Sequence, residues 1–330
     1  MSDLTSSLTV GTATAAPGTR VRGVIPVTKL AGGHALEIPV IVLNGAQPGP
    51  CIWVDGVIHG DEPEGTLCCH YLDQALDPAQ MRGSVVLVPV LNVPAYEAAQ
   101  RGNPLDTFSY DMNRIYPGKA EGYLTERVAW AHSEWLKKTA TYELCLHSGG
   151  AHSYLSETIF ATTEPDAIAL AKAMGKDFSL ILKSFLPKGS PPAVMFENGK
   201  HGLTVELGGR PATSAREFQR CARTLADGIL NLLRVYKIID GTVEFAPKHF
   251  TGVQHALLAP ISGLFLAEAD LEFQKSMKKG DLIARIVDVY GDLLAELRAP
   301  TDGLIFGLRA LPNVQTGDWC CFYAEIQGEV

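Results

Sequence analysis

Apolar and polar positions along the chain alternate between two textures. Short runs rich in Val, Ile, Leu and aromatic residues have the length and composition of strands: "HALEIPVIVL", "CIWVDGV", "SVVLVPVL", "YELCLH", "ETIFAT" and "GLTVEL". Helical patterns fall between or after them. They cover roughly 63 to 76, the stretch from Thr125 ("TERVAWAHSEWLKK"), the stretch from Glu164 ("EPDAIALAKAMG"), and a last one from Ser214 to about Lys237, where Ser214 and Glu217 have capping-box spacing. This alternation, running from Thr19 to about Tyr236, predicts an α/β fold: a mixed sheet with helices on both faces.

Beyond Asp240 the texture changes to short strands and Gly turns with no convincing helix, so a boundary is expected near residue 243. The chain divides into a flexible N-terminus (1–19), a large α/β domain (20–242) and a small all-β domain (243–330). Two related stretches in the tail, Ala259 to Ala267 and Ala299 to Leu308, resemble the hammerhead fold of biotinyl and lipoyl carriers. A carrier needs a lysine at the hairpin tip between such halves. Here that tip holds Tyr290 and Gly291, which argues against a carrier role.

With 330 residues, 46% hydrophobic and 19% charged, the chain can fill one large domain plus a smaller one. A net charge of -8 lacks the basic stripe that neutralises phosphate backbones, so nucleic acid is not an expected partner. The first residues show neither a basic n-region nor a sustained apolar h-region, and no 18 apolar residues run together. The expectation is a cytoplasmic protein without a membrane partner; a homo-oligomer is allowed. The seven cysteines form no C-x-x-C, so they read as reduced packing residues.

The candidate chemistry sits where "CIWVDGVIHGDEPEG" breaks from an apolar run into His59, Asp61, Glu62 and Glu64. A turn needs only Gly, Asn or Pro, so the extra His and Glu call for another explanation. A catalytic zinc takes three ligands, usually His and carboxylate, and keeps a fourth position for water. With Pro63 as the first helical residue, His59 lies on the turn and Glu62 at the helix mouth. Both can then face one point above the carboxyl end of the strand, where open α/β sheets bind ligands. His147, at the end of "YELCLH" before Gly149 and Gly150, is the third candidate, ahead of His152. His-x-x-Glu alone is common in surface turns, and a strand-end histidine is often a core group donating to a carbonyl. It is the convergence of three such positions that points to a metal. The remaining histidines show no ligand spacing, and His70 and His132 are expected on ordinary helix faces.

Four segments, "HGDEPEG" (59–65), "NVPAYEAAQRGNPLDTFSYDMNRIYPG" (92–118), "LHSGG" (146–150) and "VELGG" (205–209), resemble the succinylglutamate desuccinylase and aspartoacylase family of zinc carboxypeptidase-like enzymes. The resemblance spans most of residues 20 to 240, and the β tail looks like that family's C-terminal domain. It implies a zinc-carboxypeptidase-like catalytic domain with one Zn²⁺ per chain, held by His59, Glu62 and His147. It also implies hydrolysis of the amide of a small N-acyl amino acid or related carboxylate-bearing amine. By the same resemblance Glu206 is the proton-transferring carboxylate, Arg101 polarises the scissile carbonyl, and Asn113 and Arg114 hold the substrate carboxylate. The family usually has Asp two residues before the third ligand, whereas this chain has Cys145, so another residue must orient His147. The stretch between Arg101 and Asn113 is similar to the deacetylase-like bacterial branch rather than to aspartoacylases proper. Two rivals stay open: a metallocarboxypeptidase using the same metal and clamp, and a non-catalytic binding protein, against which the presence of Glu206 counts.

Overall fold

The computed structural model describes residues 6–183, 188–210 and 215–330. A small hairpin of β1 (Leu8–Val10) and β2 (Ala13–Ala15) precedes β3 (Thr19–Lys29), β4 (Ala35–Asn44) and β5 (Gln47–Asp55). Then come α1 (Glu64–Ala75), β6 (Arg82–Val88), α2 (Val93–Glu97), α3 (Leu124–Thr139), β7 (Tyr142–His147) and β8 (Ser153–Ala161). The chain continues through α4 (Pro165–Ala173), β9 (Leu180–Lys183), α5 (Pro191–Glu197), β10 (His201–Gly209) and α6 (Ala215–Val235). The tail contains β11 (Phe250–Leu258), β12 (Gly263–Ala267), β13 (Ser276–Met277), β14 (Leu282–Val287), β15 (Leu293–Arg298), β16 (Gly303–Arg309), β17 (Asn313–Val314) and β18 (Trp319–Glu329).

The centre of the main sheet is the parallel set β6, β5, β7 and β10, flanked by antiparallel neighbours, as the mixed-sheet reading expected. Alternation with period two divides its strands between two cores. Val54, Leu144, Leu146 and Val205 face α1, α4 and α6 through Cys68, Leu72, Leu170, Leu225 and Ile229. Trp53, Val86 and Cys145 face α3 and α5 through Val128, Ala129 and Met195.

Several expectations need correction. Within residues 1–19, expected to be flexible, Val10, Ala13 and Ala15 are fully buried because the β1–β2 hairpin packs against β3 and β4; residues 1–5 lie outside the described set. No helix was expected between 188 and 200, yet α5 forms there, started by Ser190, whose Oγ accepts from the amide of Ala193, and by Pro191 and Pro192. Pro63 occupies the cap position of α1 rather than its first turn. Ser214 lies outside the described residues, so the expected capping box there has no structural account.

The tail does not hang apart. β11 pairs in parallel with β9, and β16 pairs antiparallel with the first half of β8, while β8 and β9 pair with each other. Together with the β11–β18 and β16–β18 pairings this closes a five-strand ring, β8–β9–β11–β18–β16. Inside it Leu155, Leu180, Leu182, Leu304, Phe306 and Ala324 form one apolar cluster, so backbone pairing and core both cross residue 243. A second sheet, β15–β14–β12–β17, completes the tail, with Tyr290 89% exposed in the turn between β14 and β15.

Candidate active site

The parallel strands β5, β7 and β10 end side by side, and each delivers a functional group at its carboxyl end. After β5 the chain turns through Val57, a β-branched residue held at φ 57°, and brings His59 and Glu62 over the sheet edge. Such a conformation costs on the order of 1–3 kcal/mol and persists only where the surroundings impose it; here the amide of Asn92 donates to the Val57 carbonyl. His147 is the last residue of β7, and its register partner on β10 is Glu206. The two glycine pairs that follow explain the close fit. A Cβ on Gly209 (φ 102°) would fall 2.3 Å from the Ser153 carbonyl oxygen and 2.7 Å from the Gly149 amide nitrogen.

His59, Glu62 and His147 are brought together. Nδ1 of His59 donates to Glu62 Oε1 at 2.8 Å, and Nδ1 of His147 donates to Glu62 Oε2 at 2.9 Å. The two imidazoles lie 4.9 Å apart, centroid to centroid, and all three residues are at least 95% buried. Among the described residues this is the one group of three whose ligand atoms cluster, within 4.8 Å of one another. Their outer edges are held as well. Nε2 of His59 donates to Asp111 Oδ1 at 3.2 Å, and Nε2 of His147 lies 3.4 Å from Cys145 Sγ and 3.5 Å from Asn113 Nδ2. Cys145, two residues before His147, thus meets the ring nitrogen that faces away from Glu62 with its sulfur.

Although burial disfavours charge on His59, Glu62 and Asp111 pull its pKa up to about 9. Burial lowers His147, and Glu62 offsets this in part. Despite its own desolvation, Glu62 is held well below the usual carboxylate range by the two histidines. Glu206 behaves oppositely: burial, and then the charge of Glu62, push it well above that range. Its Oε2 is shielded and has no hydrogen-bond partner within the chain. Two carboxylates beside two imidazoles, one carboxylate with an unused buried oxygen, are the donor set and charge balance suited to a divalent cation. The residues present fit a zinc ion held by Nδ1 of both histidines and the Glu62 carboxylate.

The arginines line the same pocket. Arg101 donates from Nε and Nη2 to Asp111 Oδ2, both at 3.2 Å, and its Nη1 lies 3.5 Å from Glu62 Oε1. Arg114 is exposed and donates to the Asn113 carbonyl at 2.7 Å; Asn113 is buried, with Oδ1 lacking a partner.

Sequence reasoning passed over Asp111, which binds His59, Arg101 and the Asn113 amide at once. The available signal was general: a ligating histidine normally donates its second N–H to a carboxylate, and "DMNR" contains one. The remaining acids of the opening turn have scaffolding roles. Asp61 accepts from the amide of Ala151 at 2.9 Å, and Glu64 accepts from the amide of Gly209 at 2.8 Å, tying α1 to the end of β10. His132, expected on an ordinary helix face, is instead fully buried. It donates from Nε2 to Asp55 Oδ1 at 3.0 Å and meets the Tyr116 hydroxyl at Nδ1, also at 3.0 Å.

A mixed α/β sheet carrying a buried His–Glu–His group at the ends of its parallel strands defines a protein with a candidate metal centre. The model of the succinylglutamate desuccinylase/aspartoacylase catalytic domain matches residues 48–235, and the chain belongs to that family. An N-alpha-acetyl-L-2,4-diaminobutyric acid deacetylase from Halomonas elongata is 28% identical over 305 residues, covering 88% of this chain and 86% of the relative. A succinylglutamate desuccinylase from Silicibacter superposes with a TM-score of 0.82 at 24% identity, over 99% of this chain and 100% of that one. An ectoine utilization protein from Ruegeria pomeroyi, solved with product bound, gives a TM-score of 0.82 at 23% identity over 98% and 99%. At these identities the two structures establish the fold alone. The family and the deacetylase relative support an amide-hydrolysing enzyme. Among the described residues no helix is long and apolar enough to cross a membrane.

Proposed function

We propose that the protein is a zinc-dependent deacylase that hydrolyses the amide bond of N-acyl amino acids. The observation that carries this reading is the convergence of both Nδ1 atoms on the two oxygens of one buried carboxylate, beside Glu206. Zinc, when bound there, supplies a water whose pKa falls from 15.7 to about 7, together with Lewis-acid polarisation of the substrate carbonyl. The chain does the rest. Glu206 takes the proton of the attacking water and passes it to the leaving nitrogen, so the C–N bond breaks to release a carboxylic acid and a free amine. Arg101 donates to the carbonyl oxygen as it gains negative charge. Asn113 and Arg114 receive the substrate carboxylate, which a planar guanidinium binds through two parallel hydrogen bonds. Asp111 positions both His59 and Arg101.

Metal analysis coupled to hydrolysis of a panel of N-acyl amino acids tests the reading. It expects about one zinc per chain and release of the free acyl acid. Equal turnover by the wild type and Glu206→Ala would sink the assigned base. Release of C-terminal amino acids from peptides, with N-acyl amino acids untouched, would point to a carboxypeptidase instead.

A further inference from the structure

The pocket containing His59, Glu62 and His147 encloses about 600 Å³, and the proposed metal ligands take up only one part of it. The other end is walled by Leu155 and Phe160 from β8, Phe306 from β16, and Trp319 and Phe322 from β18. Four of these are aromatic and touch in series. Phe160 meets Phe306 edge-on at 6.1 Å, Phe306 stacks on Phe322 at 5.8 Å, and Phe322 stacks on Trp319 at 4.0 Å. Phe306 is fully buried, while Phe160, Phe322 and Trp319 keep part of their surface open.

Strand register places this wall relative to the chemistry. Phe160 is the partner of Thr204, and Thr204 lies two residues before Glu206 on the same face of β10. At about 3.3 Å per residue the rings begin roughly 7 Å along the sheet from the proposed base. Aromatic faces also attract cations, and a cationic group there would need a counter-charge once desolvated. The carboxylates lining the pocket are Asp61, Glu62, Asp111 and Glu206. Asp61 is bound to the Ala151 amide, Glu62 to both histidines, Asp111 to His59 and Arg101, and Glu206 stands beside His147. The polar lining groups on the wall strands and their neighbours, Ser153, Thr204 and Gln254, are neutral, and His152, just before β8, contributes no negative charge.

We propose that this wall binds an uncharged aromatic ring of the substrate, so that the preferred substrates are N-acyl amino acids bearing a ring on the acyl group or on the amino-acid side chain. The proposal rests on the deacylase reading above. Trp319 and Phe322, both from the last strand, are then the specificity-determining contacts, and a small acyl amino acid leaves them uncovered.

The test compares kcat/KM of the zinc-loaded chain for N-acetyl-L-alanine, N-acetyl-L-phenylalanine, N-benzoyl-L-alanine and N-acetyl-L-2,4-diaminobutyrate. At least one ring-bearing compound should exceed N-acetyl-L-alanine by roughly 10- to 100-fold, the value of burying a ring-sized apolar group. That ratio should fall toward one in Trp319→Ala and in Phe322→Leu, the second of which keeps an apolar side chain if the first fails to fold. Equal kcat/KM across the panel, preference for the diaminobutyrate compound, or a ratio unchanged in the folded variants would overturn the proposal. Calorimetric binding of the same compounds to zinc-loaded Glu206→Gln separates it from the reading beneath it. Tighter binding of a ring-bearing compound without any wild-type turnover would retain the wall and discard the deacylase, and equal binding would discard the wall.

Discussion

Asp111 Oδ1 lies 3.2 Å from Nε2 of His59, on the edge of the imidazole opposite the one that meets Glu62. The same carboxylate binds Arg101, so one acid fixes the orientation of a proposed metal ligand and of the proposed carbonyl-polarising group. Asp111→Asn should therefore weaken zinc binding by about 10- to 100-fold, as loss of such outer partners does elsewhere. Chelator competition measures the affinity directly, and an unchanged zinc Kd would remove Asp111 from this role.

Glu206→Ala should lower kcat by ~10² to 10⁴ through loss of proton transfer. Its zinc content should stay at the wild-type level, because Glu206 is not among the three clustered ligands. Loss of metal along with activity would mean that Glu206 acts as a ligand instead.

The raised His59 pKa makes the metal-free chain sensitive to pH. In the folded chain His59 keeps its proton up to about 9, against 6.5 for the ordinary side chain. A raised folded value contributes stability that is fully present below 6.5 and is lost as pH climbs from 6.5 through 9. The metal-free protein should therefore show a falling Tm across that window. His147, whose pKa is lowered, acts below 6.5 and leaves this window alone. Zinc requires the neutral imidazole, so the loaded protein carries no such proton and its Tm should not share the decline. Parallel Tm profiles for the two forms would contradict the assignment.

Away from the site, His132→Leu should destabilise the protein by about 1–3 kcal/mol or more, because it leaves Asp55 and the Tyr116 hydroxyl buried without their partner. Denaturant midpoints report the loss, while zinc affinity should be unchanged. A wild-type midpoint would show that water or a rotated neighbour satisfies these groups.

The clustered triad was legible in the chain because each member stands where an apolar strand gives way to glycine or proline, and those punctuation points are local. The strands and long helices of the α/β part were legible for the same reason. What escaped depends on partners distant in sequence. Periodicity places His132 on α3, but Asp55, 77 residues away, decides that its face is buried. Phe306 and Phe322 stand in strand-like runs of the sequence, yet only the pairing of β16 with β8 and β18 brings both to the pocket. Asp111 was visible as a residue but not as a contact, since its loop folds back 52 positions to His59.

Closure of the five-strand ring has a temporal consequence. Trp319 and Phe322 belong to the final strand, made after every proposed metal ligand, so a chain still emerging from the ribosome carries its three donors beside a cavity open on its far side. Until β18 is seated between β11 and β16 the wall lacks Trp319 and Phe322, and only Leu155, Phe160 and Phe306 face that side of the pocket.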